Sequence, residues 1–166
     1  LGQARCFSKV ITDSTGVIRP GKRAGTELTR NVVPAGYGPA DLRGAYKVTG
    51  SGSSSYTIAI VDAYGYANAE RDLGIYRAQY GLPPCTTANG CFKKVNQTGI
   101  QGSYPRANTG WAQEQALDLD MASAMCPSCK ILLVQANGAK YIDLATAVDT
   151  AVKLGAHVVS NSYGGG

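Results

Sequence analysis

The sequence predicts an α/β fold in which a mostly parallel sheet is flanked by helices. Three observations carry this expectation. Tyr56-Thr-Ile-Ala-Ile-Val61 and Lys130-Ile-Leu-Leu-Val-Gln135 are near-continuous apolar runs rich in β-branched residues, as strands covered on both faces require. Segments with helical spacing alternate with these runs, and strands separated by helices of ten to fifteen residues make parallel crossovers. The chain has 166 residues, 44% of them hydrophobic, which suits about one domain with its own core.

The elements follow in order. Residues 1–35 read as an N-terminal arm or propeptide remnant, with one short strand over Cys6–Ile11, a Thr-Asp-Ser-Thr-Gly turn, and Pro20-Gly21 and Pro34 as breaks. Past Gly36-Tyr-Gly-Pro39 the regular alternation begins, and the first buried strand covers 56–61. Asn68 is placed to cap a helix over Ala69–Tyr80, in which Ala69, Leu73, Tyr76 and Tyr80 recur at helical spacing. A second helix covers Trp111–Met125, and the strand 130–135 follows it. A third helix, Ile142–Leu154, carries Leu144, Ala147, Val148, Ala151 and Val152 on one side and ends at Gly155 in the left-handed cap position. The last strand is His157–Ser162, leading into Tyr163-Gly-Gly-Gly166.

Composition narrows the setting. Charged residues make up 16%, against a typical ~25%. Gly numbers 21 and Tyr 10, so the surface is lean in charge and rich in uncharged polar groups, more common in exported proteins than in cytosolic ones. The net charge of +5 is concentrated in Arg5, Lys9, Arg19, Lys22, Arg23 and Arg30, with no aromatic-interleaved basic face beyond them. Nucleic acid is therefore not an expected partner. No 18-residue apolar run is present, so no membrane span is expected. No leader is visible at Leu1, and any such segment is expected to be already removed.

The cysteines point the same way. Cys85 and Cys91 bracket a Thr-Thr-Ala-Asn-Gly turn, and Cys126 and Cys129 form a Cys-Pro-Ser-Cys; Cys6 is left over, its partner expected outside the chain. Two local disulfides in an oxidising compartment are the preferred reading. The alternatives are a zinc site, for which Cys-x5-Cys is unusual spacing, and a redox Cys-x-x-Cys.

The helix over 111–125 carries the chemistry. Glu114 and Asp118 lie four residues apart and project together, with Leu117, Met121 and Met125 on the same stripe and Asp120 pointing away. Two carboxylates on an apolar, inward stripe repel each other and resist desolvation unless they share a proton. Such a pair is a general acid–base device; the plainer alternative is a helix whose acids reach solvent at the stripe's edge. His157, the single histidine, starts a buried strand without catalytic context and reads as structural. A serine hydrolase built on this chain would need a carboxylate as its base.

Four motifs in order resemble the sedolisin family, the serine-carboxyl peptidases of subtilisin-like fold. They are Gly36-Tyr-Gly-Pro-Ala-Asp-Leu-Arg-Gly-Ala-Tyr46, Thr57-Ile-Ala-Ile-Val-Asp62-Ala-Tyr-Gly65, Trp111-Ala-Gln-Glu114-Gln-Ala-Leu-Asp118-Leu-Asp120 with the strand after it, and Val158-Val-Ser-Asn-Ser-Tyr163-Gly-Gly165. The resemblance covers residues 36–166, the N-terminal part of a catalytic domain. It implies a doubly wound, three-layer αβα sheet, a secreted peptidase and a peptide or protein substrate. It further implies Glu114 as general base, Asp118 as its orienting partner, Asp62 as a supporting acid, and Ser162, Tyr163 and Gly164 as the extended segment whose backbone pairs with substrate. The family's Gly-Thr-Ser-x-x-x-Pro nucleophile motif and its oxyanion aspartate are not in this chain. Both, together with the family's calcium site, are expected in a C-terminal remainder, a second chain or segment, so no cofactor or metal is assigned to these residues. The alternative is a catalytically inactive peptide-binding module on the same scaffold.

Overall fold

The computed structural model describes residues 2–6 and 36–165. Its centre is a four-stranded, all-parallel sheet. Strands β2 (Thr57–Ala63), β3 (Phe92–Asn96), β4 (Lys130–Ala136) and β5 (Val158–Ser160) stand in the spatial order β3-β4-β2-β5. Helices α2 (Ala69–Gln79) and α3 (Thr109–Met125) cover one face, and α4 (Tyr141–Lys153) covers the other; α1 (Pro39–Ala45) packs on the outside of α3. The result is the three-layer, doubly wound α/β architecture.

The apolar runs explain why the sheet is buried on both sides. In β2, Ile60 belongs to the core under α2 and α3 with Ala69, Leu73, Leu119, Ile131 and Leu133, while Ala59, Val61 and Ala63 belong to the core under α4 with Leu144, Ala147 and Ala151. Strand alternation sends successive side chains to opposite layers, so a strand inside both needs apolar residues at every position.

The helix boundaries show which local signals act. Asn108, not a residue nearer Trp111, starts α3: its Oδ1 accepts the Trp111 N–H at 3.1 Å, which adds Thr109 and Gly110 to the helix. Asn68 precedes α2 but makes no side-chain capping bond. At the end of α4, Gly155 has φ +84°, its N–H reaches the Val152 carbonyl at 3.0 Å and the Ala156 N–H reaches that of Ala151 at 3.1 Å. That pair of bonds closes the last turn and requires the left-handed backbone.

Several expectations are corrected. Strand β3 and helix α1 lack a strong sequence signal; Phe92-Lys-Lys-Val-Asn96 is an edge strand whose two central lysines break the apolar run. The strand expected over His157–Ser162 is not continuous or buried. Only β5, Val158–Ser160, forms within it, with Val158 56% exposed, and a separate short strand, β6 (Tyr163–Gly164), begins just past its expected end. Of the arm, β1 (Arg5–Cys6) is a strand pairing antiparallel with β6; the rest of the expected Cys6–Ile11 strand and of the 1–35 arm lies outside the described residues.

Both disulfides are local, Cys85–Cys91 and Cys126–Cys129. They flank a buried cation: Arg77 of α2 donates through Nη2 to the Pro127 carbonyl at 2.7 Å, through Nη1 to Ser123 Oγ at 3.0 Å and through Nε to the Pro83 carbonyl. Neutral acceptors thereby satisfy the guanidinium and tie α2 to the end of α3. No helix among the described residues is long and apolar enough to cross a membrane.

Gly155→Ala should lower stability by about 1–2 kcal/mol, the cost of a Cβ in the left-handed region, seen as a fall in the urea midpoint with an unchanged slope.

Candidate active site

Helix α3 runs antiparallel to the strands on their covered face, so its N-terminal half lies over their carboxyl ends, where open α/β sheets place ligands. Glu114 and Asp118 are one turn apart there and are 2% and 8% exposed. They form part of the wall of a cleft of about 510 Å³ that is also lined by Ile58 and Ile60 of β2, by Ser160 at the end of β5 and by Ser162 just beyond it.

The rest of the expected stripe behaves differently. Leu117 is 42% exposed, and with Met121 and Met125 it lines the open cleft rather than the core. Besides the two acids, the buried residues of α3 are Trp111, Gln115, Leu119, Ser123 and Ala124. The two acids thus sit at the boundary between a packed core and a cleft.

Asp62 closes the arrangement from below. It ends the apolar run of β2, is fully buried, and neither of its carboxylate oxygens has a protein hydrogen-bond partner. Burial, then the negative charges of Asp118 and Glu114, hold its carboxyl well above the usual carboxylate range. Asp118 is pushed up to about 6 by burial and by Glu114, against a lowering hydrogen bond with the Ser162 hydroxyl. Of the residues expected in the substrate segment, Ser162 therefore bonds to Asp118, whereas Tyr163 and Gly164 form β6 against β1. The negative charge of Asp62 also raises the Tyr163 phenol, after the larger effect of burial.

Other participants had weaker signals. Gln135 Nε2 donates to Gln115 Oε1 at 2.8 Å, and Gln115 Nε2 donates to the carbonyls of Ala63 and Tyr64. Gln135 is the register partner of Asp62 across the β2–β4 ladder, and its Oε1 has no partner. A glutamine closing an otherwise apolar run was the available clue. Asp120, on the opposite side of α3, is pushed up to about 7 by burial and by Asp72 of α2.

His157 lies elsewhere. Its Nδ1 accepts the Thr57 N–H at 3.2 Å and its ring meets Tyr56 edge-on. Thr57 and Asp62 stand at opposite ends of β2, a run of about 17 Å at the usual strand rise. The imidazole is therefore no partner of these acids.

No family model matches this chain, and no curated protein matches it. Among solved structures it is similar to Pseudomonas sedolisin, a serine-carboxyl proteinase complexed with two molecules of pseudo-iodotyrostatin. The two are 19% identical with a TM-score of 0.58, over 75% of this chain and 34% of that one. The chain thus shares that protein's α/β fold over the matched part and spans about a third of its length.

The raised carboxyls set a pH dependence of stability. An aspartate titrating near 3.9 when unfolded and about 6 when folded binds more protons in the native state between those values. Its contribution is complete below the lower value and is lost as pH rises through the higher one; Asp62 and Asp120 act in the same direction. The melting temperature should therefore fall between pH 4 and pH 8, and Asp118→Asn or Asp62→Asn should flatten that slope. Ser162→Ala should move the Asp118 midpoint upward, measured by carboxyl NMR titration, because the ionised form loses a donor.

Proposed function

We propose that this chain carries the carboxylate half of a secreted serine-carboxyl endopeptidase that hydrolyses peptide bonds. The observation that carries this reading is the buried Glu114–Asp118 pair, one turn apart and open to a cleft, with Asp62 behind it and the imidazole remote. The similarity to a serine-carboxyl proteinase fold supports it, and the two disulfides support an oxidising, extracellular setting.

In this reading a serine Oγ supplied by the C-terminal remainder attacks the scissile carbonyl. Glu114 accepts the hydroxyl proton as the C–O bond forms. It returns that proton to the amine nitrogen as the C–N bond breaks, and a water then releases the acyl group by the same route. Asp118 retains a proton up to about pH 6 and shares it with Glu114, which fixes the orientation of the base. Ser162 orients Asp118, and Asp62 keeps negative charge from accumulating behind the pair. Tyr163 and Gly164 supply backbone for an extended substrate. The oxyanion donor comes from the same remainder as the serine.

The calcium that the family resemblance implies is assigned in this reading to the C-terminal remainder, and no step here involves it.

In the protein assembled with that remainder, Glu114→Gln should lower kcat at least a hundredfold, the usual contribution of a general base, with little change in melting temperature. Asp118→Asn should lower kcat and displace the acidic limb of the pH profile, while His157→Gln should leave the profile in place. Near-normal turnover by Glu114→Gln would defeat this mechanism. Peptide binding without turnover in the unsubstituted protein would favour the inactive binding module.

A further inference from the structure

Four buried acceptor atoms near the carboxyl end of the sheet lack a donor among the described residues: both carboxylate oxygens of Asp62, Oδ2 of Asp118 and Oε1 of Gln135. Asp62 and Gln135 are 0% exposed and stand opposite each other in the β2–β4 register, on strands spaced about 4.8 Å apart. Both follow the alternation that sends Ile60 and Leu133 into the core under α3, so they share that face. A fully buried acid beside a fully buried amide oxygen needs a donor between them.

The orientation of two amides decides where that donor must be. Strand β2 ends at Ala63, and Tyr64, in the left-handed region at φ +63°, turns the chain out of the sheet. The carbonyls of Ala63 and Tyr64 both accept from Gln115 Nε2, at 3.1 and 3.3 Å. Carbonyls only accept, so the Gln115 amide cannot be reversed, and its two hydrogens are used. Its Oε1 accepts from Gln135 Nε2 at 2.8 Å. Reversing Gln135 would set two amide oxygens against each other. Gln135 Oε1 is thus the atom left over, and its register partner is Asp62. An ionised Asp62 would offer that oxygen only another acceptor, whereas a protonated one offers an O–H.

We propose that Asp62 is carried as a neutral acid whose O–H donates to Gln135 Oε1, and that Gln115 and Gln135 are positioning residues that enforce this state from two backbone carbonyls. Glu114 and Asp118 of α3 face Asp62 with negative charge, the Tyr163 phenol of β6 lies within reach of its charge, and β4 presents the Gln135 amide. Burial and the two acids disfavour the ionised form as well. One proton of the site is therefore kept apart, directed along the sheet rather than into the Glu114–Asp118 pair. Its use in catalysis rests on the reading of that pair as general base and partner: the pair exchanges its own proton with no charge developing behind it. The proton assignment itself stands on the fold.

The test is a carboxyl NMR titration of the 166-residue chain, with the two signals assigned from Asp62→Asn and Asp118→Asn. Asp62 should keep the chemical shift of a protonated carboxyl at pH 7. Asp62→Asn, which puts an N–H where the O–H stands, should fold and should melt at pH 8 no lower than the unsubstituted chain. In Gln115→Met, Gln135 is free to reverse and offer Nε2 to Asp62, so the Asp62 midpoint should fall by about one pH unit or more, the worth of one hydrogen bond. The Asp118 midpoint should not fall with it, whereas water entering a loosened core would lower both. Gln135→Met, which removes the acceptor, should lower Asp62 in the same way, and if either glutamine variant fails to fold the other supplies the reading. A carboxylate signal for Asp62 at pH 7 would overturn the proposal. So would loss of folding in Asp62→Asn, an Asp62 midpoint unmoved in the glutamine variants, or one that falls together with that of Asp118. If Asp62 stays protonated while the assembled protein shows no hydrolysis, this inference stands and the peptidase reading falls; a carboxylate at Asp62 in an active protein does the reverse.

Discussion

The seven-residue parallel ladder between β2 and β4, from Thr57 opposite Lys130 to Ala63 opposite Ala136, is the constraint on which the other features depend. It is buried on both faces, so its strands are apolar at nearly every position. Its connections must pass over the sheet as helices, which puts α3 on one side and α4 on the other. The register then places Asp62 beside Gln135 at the carboxyl end. A shift of one residue would turn Asp62 toward α4 and remove it from the acids of α3. The site is therefore a consequence of strand register as much as of helix sequence.

Three carboxyl groups in one dry region set the electrostatics. Burial and the negative charge of neighbouring acids hold Asp62 and Asp118 above the usual carboxylate range, so these two favour bound protons. The protein offers few donors in compensation: Ser162 reaches Asp118, while both oxygens of Asp62 and one of Asp118 lack protein partners. The nearby amides are committed elsewhere, Gln135 to Gln115 and Gln115 to the carbonyls that end β2. The interior is thus arranged to hold acids in their protonated form, which is useful for moving a proton and unfavourable at high pH. The cleft beside them supplies the complementary feature, an apolar wall of Leu117, Met121 and Met125. The same geometry explains why the carbonyl-capped Arg77 belongs to scaffold rather than site, since its charge is consumed at the far end of α3.

Much of this was legible in the amino-acid order. Near-continuous apolar runs announced β2 and β4, Gly155 announced the end of α4, and the spacing of Glu114 and Asp118 put them on one helical face, because all these depend on contacts within a few residues. What local order could not settle was decided by packing. Edge strand β3 has too few apolar residues to stand out and exists because β4 offers it a ladder. Leu117 looks like core by periodicity yet faces a cleft, because which part of an apolar stripe is covered depends on the neighbouring layer. The bond from Ser162 to Asp118, the pairing of Gln115 with Gln135, and the docking of residues 3–6 between 139–140 and 163–164 join segments from 20 to more than 130 residues apart. Sequence alone determined which residues could be strands, helices and proton carriers. Only the tertiary structure decided which of them meet, because those meetings are fixed by sheet register and layer packing, to which no local run of residues is sensitive.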